Sequence, residues 1–323
     1  MLRKHWKKLN TNLMKNIYLS ICIPTMNRAF YLSKTLEKLS LVNSNLDDFE
    51  VIVSDNSDND ETKKVCELYS KSGLNIIYYK NPVKGFYNSI IALTLGNGMF
   101  LKLHNDYSVL HIDSISEIIS LVKENRKSKP VISFTNSSKR FQSSSELCHD
   151  DFLFSLGYIS TWSSAFSCWK SDIDQYRMDN KSVYKLNDQF PHTDLLYQII
   201  NKKNGLIFSK KLWDDQPIKS KGGYNIFRNF VEVHLEMFES IQFVKRGIKF
   251  KIFIYKMQLL FKFLARWYAL TELSSKTASN YSFDKTNTYK YFRTKYSHLE
   301  WKLMILASHL YLFFWAIKKY FND

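Results

Sequence analysis

Proline and glycine are scarce in this chain of 323 residues, at 5 and 9. That scarcity excludes collagen-like and low-complexity architectures, and no internal repeat is visible. Cysteine is present only as the scattered Cys22, Cys66, Cys148 and Cys168, with no CxxC pair, as expected of buried small residues in a reducing compartment. No GxGxxG follows the first predicted strand and no GxxxxGK[ST] occurs anywhere, so the dinucleotide and P-loop readings lose their main support. The basic N-terminus lacks the apolar core of a secretory signal, so the chain is expected in the cytoplasm.

Acidic residues are scarce at both ends. Residues 1–16 carry five basic residues and no acid, and residues 245–323 carry 15 basic and 4 acidic ones. These ends account for the whole formal net charge of +16, leaving 26 residues of each sign in 17–244. A nucleic-acid-binding protein would interleave basic residues across one face of its globular part, and the balanced middle speaks against that reading. Hydrophobic content of 45% and aromatic content of 16% indicate a folded chain with a large core. The expected organisation is a basic segment at 1–16, a catalytic domain at 17–244 and a basic amphipathic helical region at 245–323.

Within 17–244, strand and helix patterns alternate. Apolar runs at 18–25, 49–57, 75–81, 98–106 and 130–138 predict strands, and helical periodicity fills the intervals, as in Leu32, Leu36 and Leu39. This order predicts an α/β fold with a mainly parallel sheet and helices on both faces. Ligands bind such sheets beyond the carboxyl ends of the strands. Three strands there run into polar clusters: Thr25, Asn27 and Arg28; Asp55, Asn56 and Ser57; and His104, Asn105 and Asp106.

The stretches "SICIPTMNRAFYLSKTLEKL", "FEVIVSDNSDNDET" and "NPVKGFYNSIIALTLGNGMFLKLHND", in this order and spacing, resemble the nucleotide-sugar half of family 2 glycosyltransferases with the GT-A fold. The nearest likeness is to transferases of bacterial O-antigen and capsule synthesis, including the abequosyltransferase-like group, with weaker support from "SKGGYNIFRNFVEVHLEMF". The resemblance implies a nucleotide-sugar site made by Pro24, Thr25, Asn27, Arg28, Asp55, Asn81, Lys84, Gly85, Asn88 and Asn105. His104-Asn105-Asp106 falls where the family has Asp-x-Asp, which implies a divalent cation, Mn²⁺ or Mg²⁺, on Asp106 and His104. Such an ion would stabilise the charge developing on the departing nucleoside diphosphate. Imidazole suits Mn²⁺, whereas Mg²⁺ prefers oxygen. As alternatives, His104 is a neutral hydrogen-bonding residue and Asp106 a helix-capping carboxylate.

Inverting transfer also needs a base to take the acceptor hydroxyl's proton. In the family this acid opens a helix followed by a glycine and a strand, an order reproduced by "NDQFPHTDLLYQIINKKNGLIFSKKLW". Asp194 is the first choice, His192 the second and Asp188 a distant third. The alternative role for Asp194 is a helix-cap acid. Trp162 and Trp169 could stack on a sugar ring, although core packing is the commoner role for tryptophan.

Residues 248–270 and 303–317 are apolar, aromatic-rich and flanked by lysines, and the latter run falls short of the roughly 20 residues that span a bilayer. They suit an anionic membrane surface, or a helical subdomain packed on its own chain or on a second copy as a homodimer. The combined expectation is an inverting glycosyltransferase on the inner face of a bacterial cytoplasmic membrane, taking a nucleotide-sugar donor and a glycan acceptor linked to undecaprenyl diphosphate. The alternative is a nucleotide-sugar-binding subunit with altered catalysis.

Overall fold

Aliphatic side chains crowd the stretch LSICIPT, and in the computed structural model it forms the central strand β1 (Leu19–Thr25). Strands buried on both faces of a parallel sheet carry this kind of pattern. The structure describes residues 17–42, 45–136, 146–201, 203–218, 221–274 and 281–322. The expected basic segment 1–16 lies outside them.

Helix α1 (Ala29–Ser40) follows β1, then β2 (Phe49–Asp55), α2 (Glu61–Lys71), β3 (Ile76–Lys80), α3 (Asn88–Thr94) and β4 (Phe100–Leu103). Next come β5 (Ser108–Leu110), α4 (Ser114–Asn125), β6 (Val131–Phe134), β7 (Glu146–Leu147), α5 (His149–Leu156) and β8 (Ser167–Trp169). Then follow α6 (Lys170–Asn180), α7 (Pro191–Ile200), β9 (Gly205–Phe208) and β10 (Trp213–Asp215). The remaining long helices are α8 (226–239), α9 (248–273), α10 (Thr288–Lys295) and α11 (His298–Asn322). In α8 and α9 ordinary turns alternate with wider π-helical ones.

The chain divides into two compact units, Met1–Glu146 with Ile159–Gln216, and Leu147–Tyr158 with Pro217–Asp323. In the first, the sheet order is β3-β2-β1-β4-β8, parallel except for the β4–β8 pair. Helix α1 buries Leu32, Leu36 and Leu39, the face that its periodicity predicts. They join Ile21, Ile23, Val51, Val53, Phe100 and Trp169 in the core. Each such side chain contributes roughly 1.5–3 kcal/mol by leaving water. The turn into β4 packs close to β1: Gly98 N–H donates to Ser20 Oγ at 2.8 Å, and Ser20 Oγ–H donates to the buried Glu50 at 2.6 Å.

Two elements differ from their sequence expectation. The fifth predicted strand leaves the main sheet, and β6 pairs instead in parallel with β9. The apolar pattern of GFYNSIIALTL predicts a helix over 85–95, but α3 starts at Asn88, because Gly85 adopts φ +103°, outside the helical region.

The second unit begins at residue 217 instead of 245 and includes 147–158. Aromatic packing explains why 226–239 belongs with the C-terminal helices. Phe230 and Phe263 lie 4.2 Å apart between ring centres, Phe238 stacks on Tyr255 at 4.1 Å, and Phe227 meets Phe292 at 5.6 Å. Asp150 accepts backbone N–H bonds from Val244 and Lys245, tying α5 into this unit.

Candidate active site

The carboxyl ends of β1, β2 and β4 converge, as the parallel register requires. Thr25 pairs with Asp55 across β1 and β2, and His104 N–H donates to Cys22 O at 2.9 Å just beyond the paired part of β4. At the β1 tip, Thr25 Oγ1 donates to Asp106 Oδ2 at 2.7 Å. Arg28, at the start of α1, places Nη1 3.5 Å from Asp106 Oδ1 and is partly open to solvent. Asp106 itself is almost fully buried. Burial pushes its pKa up, while Arg28 and Thr25 oppose that shift.

Asn27 sits in the left-handed region, at φ 54°. Its side chain donates to Asp58 Oδ2 and accepts from Asp58 N–H, at 2.9 and 3.0 Å, so the tips of β1 and β2 are clasped together. Lys84 donates to Asp58 at 2.6 Å and to the Asn56 carbonyl, and so joins the same cluster. Pro24 lies in β1, half-buried opposite Ser54.

Several residues assigned to the ligand by resemblance face inward. Asp55 is buried; one oxygen accepts from Ser57 N–H at 2.8 Å, and the other from Tyr78 and Lys80 at 2.9 and 3.3 Å. Burial raises its pKa, but the bonds from Ser57, Tyr78 and Lys80 outweigh that and leave it below the usual range. Asn88 is also buried, accepting from Ser54 and Asn81 and donating to the Ser54 and Thr25 carbonyls. Both residues order the tips of β1 and β2.

His104 is fully buried beside Trp213. Its Nε2–H donates to the Ser108 carbonyl at 2.6 Å, and Nδ1 is buried with no hydrogen-bond partner among the described residues. Burial, aided by Lys102, pushes its pKa down to about 3, so the ring is neutral. This placement corrects His104 as a metal ligand: one nitrogen is committed and the other has no accessible surface. Among the described residues no group of three or more His, Cys, Asp or Glu side chains is arranged to hold a metal. The donor set therefore does not fit a protein cage. The carboxylate of this tip, Asp106, is almost fully buried, with one oxygen bonded to Thr25 and the other facing Arg28.

Beyond β4, Asn105 Oδ1 accepts from Ser163 Oγ at 2.7 Å. That bond brings the 159–166 segment to the tip. Trp162 is exposed there, whereas Trp169 is core, packed 5.0 Å from Phe100 with Nε1–H donating to the Pro130 carbonyl. His192 Nε2–H donates to the Thr161 carbonyl at 3.0 Å, leaving Nδ1 buried and without a hydrogen-bond partner among the described residues. Burial takes its pKa down to about 4. Asp194 is differently engaged. It accepts from Asn187 N–H at 2.8 Å and from Gln198 at 3.0 Å, anchoring the loop that enters α7. Asp188 is exposed.

Sequence reasoning missed Lys102. It lies fully buried in β4, donates to the Ser164 and Leu103 carbonyls at 2.9 and 3.1 Å, and rests against the rings of Trp213 and Phe134. Burial takes its pKa down to about 7. Its signal was a lone lysine within an apolar strand. Ser163 was missed too, for want of any local pattern.

Residues 20–147 match the model of glycosyl transferase family 2. The chain carries a family 2 glycosyltransferase domain. The chain is also 26% identical over 181 residues to the GalNAc(5)-diNAcBac-PP-undecaprenol beta-1,3-glucosyltransferase of Campylobacter jejuni, covering 51% of this chain and 56% of that protein. It is 47% identical over 51 residues to the validoxylamine A glucosyltransferase of Streptomyces hygroscopicus, 16% of this chain and 12% of that one. The chain thus spans little more than half of the first relative and a small part of the second. Among solved structures, S. aureus TarS 1–349 in complex with UDP-GlcNAc matches with a TM-score of 0.54 at 17% identity, over 90% of this chain and 79% of that one. The mannosyltransferase PcManGT from Pyrobaculum calidifontis, in complex with GDP-Man and Mn²⁺, matches at 0.50 and 12%, over 96% and 88%. These likenesses establish the GT-A fold around the family 2 domain.

Proposed function

We propose that this chain is an inverting glycosyltransferase that moves a sugar from a nucleotide-sugar donor to a lipid-linked glycan in bacterial surface-polysaccharide synthesis. The observation that carries this reading is the buried Asp106 carboxylate, held by Thr25 and faced by Arg28 at the tips of β1 and β4. The family 2 match over the same residues gives it its chemical sense. The lipid-linked acceptor is supported more thinly, by the partial relative named for an undecaprenol-linked glycan.

The chain's own residues have distinct tasks in this reading. Arg28 and Lys84 present N–H donors and positive charge to the donor's diphosphate. The Asn27–Asp58 clasp shapes the loop that wraps the nucleotide, and Asp55 and Asn88 keep that loop in register. Asp106 would hold the divalent ion, which when bound supplies Lewis-acid stabilisation of the leaving diphosphate. His192 takes the acceptor proton on Nδ1, a step that requires acceptor binding to uncover this buried nitrogen. Its tautomer suits the task, since Nε2–H is committed to Thr161 and burial keeps the ring neutral. The bond between Ser163 and Asn105 links its neighbourhood to the β4 tip. Asp194 anchors α7.

Thermal melting of the full chain against a panel of nucleotide sugars, with and without Mn²⁺, tests the donor site. Stabilisation by one nucleotide class, lost in Asp106→Ala, is expected. No stabilisation by any nucleotide sugar contradicts the reading. Binding without transfer to any glycan acceptor would favour the non-catalytic alternative.

A further inference from the structure

In the second unit, α11 is apolar on two sides. One side is spent on the unit's own core: Trp301 packs 4.8 Å from Phe292 and 5.5 Å from Tyr268, and Met304 and Ser308 are fully buried. The other side carries Leu299, Leu303, Leu306, Leu310, Phe313 and Ile317, all exposed, with Leu306 at 57% and Phe313 at 60%. Their spacing of four and three residues lines them along one face of the helix. Monomeric soluble proteins rarely leave a continuous apolar row of this length in water.

Charge decides what covers the row. From residue 301 to 322 the helix has no acid and carries Lys302, Lys318 and Lys319. Lys249, Lys262 and Arg266 of α9, with Lys302 and Lys318, are exposed and have no ion pair among the described residues. A paired coiled coil would be steered by opposite charges flanking the seam. Here the flanking positions after Lys302 are Ala307, His309, Phe314 and Ala316, which offer a second copy no opposite charges to steer it. The last turns, FFWAI at 313–317, are exposed all round, which suits a lipid interface and not a two-stranded seam. No helix among the described residues is long and apolar enough to cross a membrane.

We propose that the outward face of α11 is a docking surface for an anionic lipid bilayer, lying in the headgroup region with its apolar row toward the acyl chains and its lysines on lipid phosphates. This proposal stands independently of the catalytic reading, because it uses no residue of the first unit.

Flotation of the full chain with vesicles tests it. Vesicles of phosphatidylcholine with phosphatidylglycerol should carry the protein up, in a salt-sensitive way, and phosphatidylcholine alone should carry much less. The double substitution Leu306→Ser with Phe313→Ser should lower binding at least about tenfold, with an unchanged melting curve since both side chains are exposed. Lys302→Glu with Lys318→Glu should abolish the preference for the anionic lipid. Equal binding by wild type and the double variant would overturn the proposal. So would absence of wild-type binding. A wild-type dimer that the serine variant turns into a monomer, with no effect on flotation, would assign the face to a second copy instead.

Discussion

Thr25 Oγ1 donates a hydrogen bond to Asp106 Oδ2 across 2.7 Å, joining the tips of β1 and β4 from positions 81 residues apart. The bond fixes the only carboxylate of the His-Asn-Asp tip in one rotamer, with its second oxygen toward Arg28. Thr25→Val removes a donor from a buried carboxylate and should cost about 1–3 kcal/mol. Chemical denaturation measures that loss, and transfer activity should fall with it. Unchanged stability and activity would mean that the bond does not position Asp106.

His192 and Asp194 are separated by their partners. His192→Gln should cut the rate of transfer by about a hundredfold or more, the usual scale for losing a general base. Asp194→Asn should mainly destabilise the entry to α7, because it weakens the bonds to Asn187 and Gln198. Rate and melting temperature measured on both variants decide the matter. A large rate loss in Asp194→Asn with normal stability would return the base to Asp194.

The sheet was legible because its strands are buried on both faces and read as apolar runs. Residues 19–25 and 49–55 are examples, with polar clusters marking where each strand stops. The convergence of Thr25, Arg28 and Asp106 followed from parallel topology alone. What stayed hidden was side-chain direction. His104 and Asp106 sit two residues apart, yet one turns into the core toward Ser108 and the other toward Thr25. No local pattern distinguishes those outcomes. The domain boundary was hidden for a similar reason: the helix at 226–239 is defined by the aromatic rings it meets at 255, 263 and 292, far along the chain.

His192 also gives the first unit an acid sensitivity. Its folded pKa, pushed down to about 4, lies below that of an unfolded histidine, so between about pH 6.5 and 4 the unfolded chain binds the extra proton. Stability contributed by the neutral ring is therefore full above pH 6.5 and falls as the pH drops, by about 1.4 kcal/mol per pH unit. Denaturation of wild type and His192→Gln between pH 7 and 4.5 should show the wild type losing stability faster. Parallel curves would contradict the buried neutral ring.

Gly98 is a packing requirement. A Cβ there would lie 2.7 Å from Ser20 N and 2.8 Å from Leu19 C, both backbone atoms of the central strand. Gly98→Ala should destabilise the first unit by about 1–3 kcal/mol through forced movement of β1. A melting curve equal to wild type would show that the turn yields without disturbing the sheet.

The most direct test of the account is sugar transfer itself. The full chain is mixed with a panel of labelled nucleotide sugars and a bacterial lipid extract, and label in the lipid-linked glycan is measured for wild type and Asp106→Ala. The account predicts transfer from one donor by the wild type and none by the variant. Transfer that survives Asp106→Ala undiminished would contradict it.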